Sequence, residues 1–275
     1  MTAPLQKLNS FQNVNPGQTA NLPDIAQGMT YEGILLELGG TFTKPQITGI
    51  RITLGGKKIW DITGTHLDTL NAYCRRTASA VFMPIWFANP NAKTRGGYLA
   101  GAIDTSNKFS NFSMEVDISG AAIAPTLAAH ALLSLPIAKE AAYKNMFRAL
   151  LKATDSPGGA GEFSIKAPIG SNHGAFIRAL HFFHANITQL QVRKDSFLLL
   201  DRGTNAVVQY FQNELRRTAQ AGLISWDPTF MDIEDDAPPT RNLSGNMANY
   251  EFLTTLSAAD TLIHYSDLLG DIDSF

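Results

Sequence analysis

Short runs of apolar or alternating residues, separated by glycine, proline and asparagine, make up the first half of the chain. Alternation with a period of two and a high content of β-branched and aromatic residues are typical of strands. The pattern predicts strands at 30–38, 47–56, 57–62, 79–88 and 112–119.

The stretch ITGIRITLGGKKIWDI predicts a hairpin of two of these strands. Gly55 and Gly56 stand between them. A glycine pair tolerates the positive φ angles that a tight two-residue turn requires. We therefore expect the chain to reverse here.

A short helix is predicted directly after the hairpin, in THLDTLNAYCRRTA. Leu67, Leu70 and Cys74 fall on one helical face. Thr65 with Asp68 is a plausible cap for its first turn. The two arginines that follow, Arg75 and Arg76, suit the negative end of the helix dipole.

The second half of the chain repeats this order of elements. A helix is predicted at 204–219, and strands are predicted at 176–183, 187–194, 197–201, 229–235 and 248–257. Between the halves, residues 124–161 end in a Pro-Gly-Gly loop signal and predict a connector of loop and helix.

Two words, NAYCRRTA and NELRRTA, share the letters Arg-Arg-Thr-Ala 141 residues apart. One shared word is close to chance, but others precede it in the same order. Ile47-Thr48 lies over Ile187-Thr188, and Asp61 lies over Asp201, both 140 residues apart. Farther along, 82–85 resembles 230–233. The ordered matches indicate two copies of one β-rich domain of about 130 residues, with two unrelated β domains as the alternative.

A domain of this size with many short strands and one small helix fits a sandwich or jelly roll. The predicted fold is all-β, with two tandem eight-stranded jelly rolls and short helices in loops. The predicted divisions are a first roll at 1–123, a connector at 124–161 and a second roll at 162–275.

The amino-acid composition limits the classes of function that the protein can have. Charged residues are only 17% of the chain and the formal net charge is −2, so the surface is unusually neutral, which suits a protein that packs against its own copies. No long basic run is present, and direct nucleic-acid binding is not expected. The apolar stretch 121–138 carries two prolines and a histidine, which argues against a membrane span.

Candidate catalytic chemistry is sparse. His181 and His184 would point to opposite faces of a strand, and no His-x-His pair of the kind a metal-binding cupin uses is present. Cys74, the only cysteine, sits on an apolar helix face and reads as a small buried hydrophobe. We therefore predict no catalytic residues and no enzymatic activity.

The densest acidic cluster is DIEDDAPPT. Its four carboxylates are hard oxygen ligands of the type that calcium prefers. The candidates for a calcium site are therefore Asp232, Glu234, Asp235 and Asp236. The simpler interpretation of the cluster is a solvated loop.

Several long stretches resemble the major capsid protein of corticovirus-type phages, which are tailless, icosahedral and contain an internal membrane. MTYEGILLELGGTFTKPQITGIRITLGGKKI and FSMEVDISGAAIAPTLAAHAL resemble the first jelly roll and its connector. FIRALHFFHANITQLQVRKDSFLLLDR and NYEFLTTLSAADTLIHYSDLL resemble the second.

The resemblance implies a virion subunit made in the host cytoplasm and placed in the outer capsid shell. The partners it implies are two further copies in a pseudo-hexagonal homotrimer, neighbouring trimers, a vertex (penton) protein, and the membrane or membrane proteins beneath the shell. Such coats carry metal ions such as calcium. The polar segment from residue 1 to about residue 20 is expected to be extended and to dock on a neighbour or line the inner face. The alternative function is a jelly-roll carbohydrate-binding protein or cupin-like enzyme.

Overall fold

The computed structural model describes residues 4–171 and 173–275, and the strands and helices below are those of this part of the chain. No helix among them is long and apolar enough to cross a membrane. The elements, in chain order, are β1 (Leu5–Lys7), β2 (Thr19–Leu22), β3 (Thr30–Gly39), β4 (Ile47–Leu54), β5 (Lys57–Ile62), α1 (Gly64–Tyr73), β6 (Phe82–Trp86), α2 (Arg95–Leu99), β7 (Ile103–Asp104), β8 (Phe112–Ile118), β9 (Thr126–Ser134), β10 (Phe147–Asp155), β11 (Gly161–Ile165), β12 (Phe176–Phe183), β13 (Ile187–Lys194), β14 (Phe197–Thr204), α3 (Asn205–Glu214), β15 (Leu223–Trp226), β16 (Tyr250–Leu256) and β17 (Leu262–Gly270).

The first nine strands build one jelly roll. One sheet has the order β1-β9-β3-β6, with β7 added to β3, and the facing strands have the order β5-β4-β8-β2. Alternate residues of β8 are buried, as expected for a strand with one face on a core. Its buried residues are Phe112, Met114, Val116 and Ile118.

The last eight strands repeat this arrangement. Their two groups have the orders β10-β17-β12-β15 and β11-β16-β13-β14, which match the eight strands of the first roll other than the two-residue β7. A second core cluster, which includes Leu180, Phe182, Leu190 and Phe252, fills the space between them. The prediction of two tandem eight-stranded jelly rolls is therefore confirmed.

The two rolls share one sheet. Strand β5 of the first roll pairs in parallel with β10 of the second, with Trp60 opposite Leu150. This pair joins four strands of each roll into one eight-stranded sheet. The rolls are thus held together by backbone hydrogen bonding as well as by side chains.

The predicted duplication is visible in the strand registers. Ile47 and Ile187 begin equivalent strands, and the next residue of each, Thr48 and Thr188, is an extra residue in a bulge. The bulges that leave out Glu32 in β3 and Arg178 in β12 also coincide. A bulge is a specific local feature of a strand pair, so two coincident bulges confirm that the halves share one fold.

One of the predicted matches between the halves is wrong. Strand β6, which contains residues 82–85, is equivalent to β15 and not to 230–233. Phe82 pairs with Glu37 on β3, and Leu223 holds the same place against Phe183 on β12. The shared letters of 82–85 and 230–233 misled because Phe230 and Asp232 lie in a turned segment, where Asp232 has a φ of 61°. The strand predicted at 229–235 is absent for the same reason, and a short 3-10 turn, Glu234–Asp236, stands there.

The helical connector predicted at 124–161 is also wrong. Strands β9 and β10, of nine residues each, lie within it, and each is paired along nearly its whole length inside a roll. The alanine-rich sequence of β9 has little strand propensity of its own, and pairing on both sides overrides that preference. The chain passes from one roll to the next through 135–146.

The N-terminal segment is anchored to its own roll, and its docking on a neighbour or along the inner face stays a prediction. Residues 1–3 lie outside the described residues. From there on, β1 pairs with β9 and β2 pairs with β8, while Leu8 and Phe11 are buried in the first core. Because most of the segment is polar, these few anchoring residues could not be recognised from the sequence.

The predicted hairpin is confirmed, with φ angles of 58° at Gly55 and 83° at Gly56. The predicted helix follows it, but its cap is Thr63, whose side chain accepts a hydrogen bond from the His66 amide. Gly64 begins the helix because a Cβ there would lie 2.2 Å from the carbonyl oxygen of Lys44. Asp68 instead pairs with Lys44 at 2.5 Å.

Candidate functional site: the junction between the rolls

The junction begins at the shared sheet. The Trp60 indole donates to the carbonyl oxygen of Arg148 at 3.0 Å, and the Arg148 guanidinium lies 5.3 Å from the Trp60 ring centre. Both partners belong to the strands that pair across the rolls. The strand contact is thus reinforced by an aromatic ring from one roll and a cation from the other.

Helix α1 packs its first turn against the outer face of the second roll. The His66 ring stacks on Phe183 at 3.8 Å, and its Nδ1 lies 2.8 Å from the Tyr265 hydroxyl. Burial, together with the charge of Lys152, lowers the pKa of His66 to about 4. A neutral imidazole therefore occupies this contact at pH 7.

The two Arg-Arg-Thr-Ala words meet at the other end of the junction. Arg75 donates to the carbonyl oxygens of Arg217 and Asn213, each at 2.9 Å, and the Thr218 amide donates to the carbonyl oxygen of Tyr73 at 2.9 Å. Arg75 was predicted to serve the end of its own helix. It serves the end of the equivalent helix, α3, in the other roll.

Arg217 lies deeper, with its side chain only 4% exposed. It binds Asp227 at 2.7 Å, Asp232 at 2.8 Å and the carbonyl oxygen of Thr229 at 2.9 Å. Burial opposes its charge, but the neighbouring acidic groups, with Asp227 the strongest, together outweigh burial and raise the pKa of Arg217 above its ordinary value. Tyr73 of the first roll donates to the same Asp227 at 3.0 Å, so this ion pair is shared between the rolls.

A second buried group of charges adjoins it. Arg148 binds Asp267 through two bonds of 2.9 and 2.7 Å, and Arg178 binds Glu234 through two bonds of 2.7 and 2.8 Å. Asn89 of the first roll donates to Glu234 at 2.8 Å. Burial would raise the pKa of Asp267, but the two arginines lower it to about 2. Charges taken out of water are tolerated here because each is paired.

The four calcium candidates are not gathered into a cation site. Asp232 and Glu234 face arginines, while Asp235 and Asp236 lie exposed on the 3-10 turn. Among residues 4–171 and 173–275, no group of three or more histidine, cysteine or acidic side chains is placed to hold a metal. The donor set therefore does not fit calcium, because its buried members already neutralise guanidinium groups.

The two histidines and the cysteine that the sequence singled out lie in packed surroundings. His181 is buried and bonded to the Ser225 hydroxyl at 2.8 Å, and His184 accepts from the Ile187 amide at 3.0 Å. Burial lowers the pKa of both, to about 4 for His181. Cys74 is half-buried and packs against the first core. Sequence reasoning missed the acceptors of the junction, Asp227 and Asp267, because each is an isolated acid with no motif around it.

Comparison with protein families agrees with this two-roll architecture. The family described as viral coat protein P2 N-terminal domain matches residues 5–134, and viral coat protein P2 C-terminal domain matches residues 147–271. The chain belongs to the P2 viral coat protein family. It is accordingly a structural protein of a viral capsid, and the resemblance drawn from the sequence is confirmed.

Solved structures show the same fold. The major capsid protein P2 of bacteriophage PM2 is 19% identical, with 99% of each chain covered and a TM-score of 0.80. A protein in the Sulfolobus Turreted Icosahedral Virus structure is 8% identical, with 99% of this chain and 92% of that chain covered and a TM-score of 0.71. A chain of the PBCV-1 virus capsid is 10% identical, with 97% and 94% covered and a TM-score of 0.61. No curated protein sequence matches the chain.

Proposed function

We propose that this P2 family coat protein assembles as homotrimers that form pseudo-hexagonal tiles of an icosahedral shell. The observation that carries this is the equivalence of the two rolls, which share strand order and the positions of two bulges. Three copies supply six similar rolls. A ring of six similar rolls has a near-sixfold outline while it needs only threefold symmetry.

The wider setting of the proposal follows from the family. The chain is made in the host cytoplasm, and its trimers contact neighbouring trimers, a vertex (penton) protein, and an internal membrane or its proteins. The low share of charged residues, 17%, supports extensive tile-to-tile packing, because desolvating few charges costs little.

The mass of the purified protein in solution tests the trimer. We expect light scattering to give about three times the chain mass of 29.9 kDa. A monomer at all concentrations, together with binding of a sugar or metal, would instead favour the carbohydrate-binding or cupin-like alternative. Electron microscopy of particles that contain the protein tests its place in the shell.

A further inference from the structure

The junction within one chain joins two particular faces. The first roll contributes strand β5 and helix α1, and the second contributes β10 and the outer face of β12 and β17. Each roll has both kinds of face, because the two share one fold. The junction within one chain uses one face of each kind. The strand-and-helix face of the second roll and the outer face of the first roll therefore have no partner roll.

The register gives the equivalent residue at every position of these faces. Strand β3 corresponds to β12 through the coincident bulge, β9 to β17 through its pairing with those strands, and α1 to α3 through the caps Thr63 and Thr204. The equivalent pairs used below are Leu5 and Leu150, Leu35 and His181, Glu37 and Phe183, Trp60 and Leu200, His66 and Val207, Leu70 and Phe211, Pro84 and Ser225, Trp86 and Asp227, and Leu132 and Asp267.

The unused face of the second roll is apolar and exposed. Ile59 on β5 is 0% exposed, while Leu199 at the equivalent place on β14 is 44% exposed. Leu70 on α1 is 7% exposed, while its equivalent Phe211 on α3 is 59% exposed. Strand β14 is also an edge strand. We name this surface the roll-two patch, which consists of Phe197, Leu198, Leu199, Val207, Tyr210 and Phe211.

The unused face of the first roll is largely apolar, with an ion pair between Glu37 and His130 at 2.8 Å. An apolar groove runs over the outside of β3, β6 and β9 and reaches the exposed Leu5 on the edge strand β1. We name it the roll-one groove, and the residues that line it on this outer face include Leu5, Leu35, Pro84, Trp86 and Leu132.

We propose that the roll-two patch of one copy docks in the roll-one groove of a second copy, in the same arrangement as the junction within the chain. The proposal rests on the trimer proposed above and identifies the surfaces that form it. Leu200 of one copy then pairs in parallel with Leu5 of the next, as Trp60 pairs with Leu150. Val207 lies beside Glu37 of the next copy, as His66 lies beside Phe183.

The chemistry of the faces separates the two kinds of contact. Inside the chain, the face that receives α1 is aromatic at Phe183 and Tyr265, where the first roll has Glu37 and His130, and it is polar at four further positions, His181, Ser225, Asp227 and Asp267. The equivalent positions in the roll-one groove are Leu35, Pro84, Trp86 and Leu132. The apolar side of α3 therefore suits the groove, whereas docking it against the polar face would remove the hydrogen bond that Tyr73 donates to Asp227. The contact is heterologous, so it repeats from copy to copy and closes a ring of three copies when each roll takes one sixth of the turn.

Paired cysteines test the register. In a Cys74→Ser background, Leu5→Cys with Leu200→Cys is expected to form disulfides between copies on oxidation, because paired strand residues lie within disulfide reach. Glu37→Cys with Val207→Cys is expected to join copies through a short bismaleimide. Each double variant should give a covalent trimer, and each single variant should give none. A trimeric protein whose pairs both fail to cross-link would overturn the docking register and leave the trimer itself standing.

Charge substitutions test the patch. Phe211→Asp and Tyr210→Asp are expected to yield a folded monomer, with a melting temperature near that of the isolated wild-type chain at high dilution. Ile123→Asp is the matched control, because Ile123 is 70% exposed but lies outside both surfaces, and we expect it to remain trimeric. Trimers that persist in both patch variants would overturn the proposal. A wild-type chain that is itself monomeric would count against the proposed trimer as well.

Discussion

At the scale of single residues, the two equivalent hairpin turns differ in chemistry. Gly55 and Gly56 turn the first roll, whereas Asp195 and Ser196 turn the second with φ angles of 46° and 71°. A side chain in the left-handed region costs about 1–2 kcal/mol. Asp195 offsets part of this cost by accepting a hydrogen bond from the Asn249 amide at 2.8 Å. Ser196 is exposed, at the tip of the turn.

Ser196→Gly is therefore expected to stabilise the protein by about 1 kcal/mol, because it removes the left-handed strain at a surface position. Urea unfolding of the two proteins measures the difference. The matched control is Gly56→Ser in the other roll, where no atom lies within 4 Å of the added Cβ and φ is 83°. Gly56→Ser should lower the free energy of unfolding by a similar amount. A change in stability of the same sign in both variants would contradict this explanation.

At the scale of elements, the junction depends on buried ion pairs that join loops, helices and strands. Arg217 follows α3 and holds Asp227 and Asp232, which lie on the segment after β15. The helix end, the turned segment and Tyr73 of the first roll are therefore fixed by one side chain. Removing one member of a buried pair leaves the other charged and desolvated.

Arg217→Met is expected to destabilise the protein by about 3–5 kcal/mol, because two carboxylates would remain buried without their cation. Arg202→Met is the control, since Arg202 pairs with Glu162 at 3.1 Å with both side chains more than half exposed. Such a surface pair contributes about 0–1 kcal/mol. Chemical unfolding of both variants provides the comparison, and equal small losses would show that the junction pairs carry little stability.

The 3-10 turn Glu234–Asp236 gives a prediction about calcium. Because arginines hold Asp232 and Glu234, we expect a chelator to leave the melting temperature unchanged. Asp235→Ala should likewise have an effect within about 0.5 kcal/mol, as for an exposed substitution. A lower melting temperature in chelator, lost in Asp235→Ala, would restore the calcium hypothesis.

At the scale of the whole molecule, we expect the contact between rolls to depend on pH. His66 and His181 both lie at the junction, and burial lowers the pKa of each to about 4 from the ordinary 6.5. His181 faces Asp227 and Asp267, which oppose this shift, and Arg148 and Arg217, which add to it. The unfolded chain binds protons at these sites from about pH 6.5 downward, whereas the folded chain resists until about pH 4.

Stability is therefore expected to fall as the pH drops from 6.5 to 4, by about 3 kcal/mol for the fully buried His181, with a further loss from His66. The stability that Asp267 contributes is lost only at lower pH, between about 3.8 and 2, because folding lowers its pKa from 3.8 to about 2. Urea midpoints at pH 7, 5 and 4 measure the loss. In His181→Gln the slope across this range should be shallower, and an unchanged slope would show that another group dominates.

The sequence by itself determined the strands with clean alternation, the glycine hairpin, helices α1 and α3 and the doubling of the fold, because periodicity and turn chemistry are local properties. It also carried the family resemblance. Tertiary structure alone decided that alanine-rich β9 is a strand, that 229–235 is a turn, and that Arg75 and Arg217 join the two rolls. These depend on partners distant in the chain, and local preference is too weak to outweigh sheet pairing or the burial of a charge. The repeated Arg-Arg-Thr-Ala could be read as a sign of duplication, but its role at the junction follows only from the way the two copies are packed.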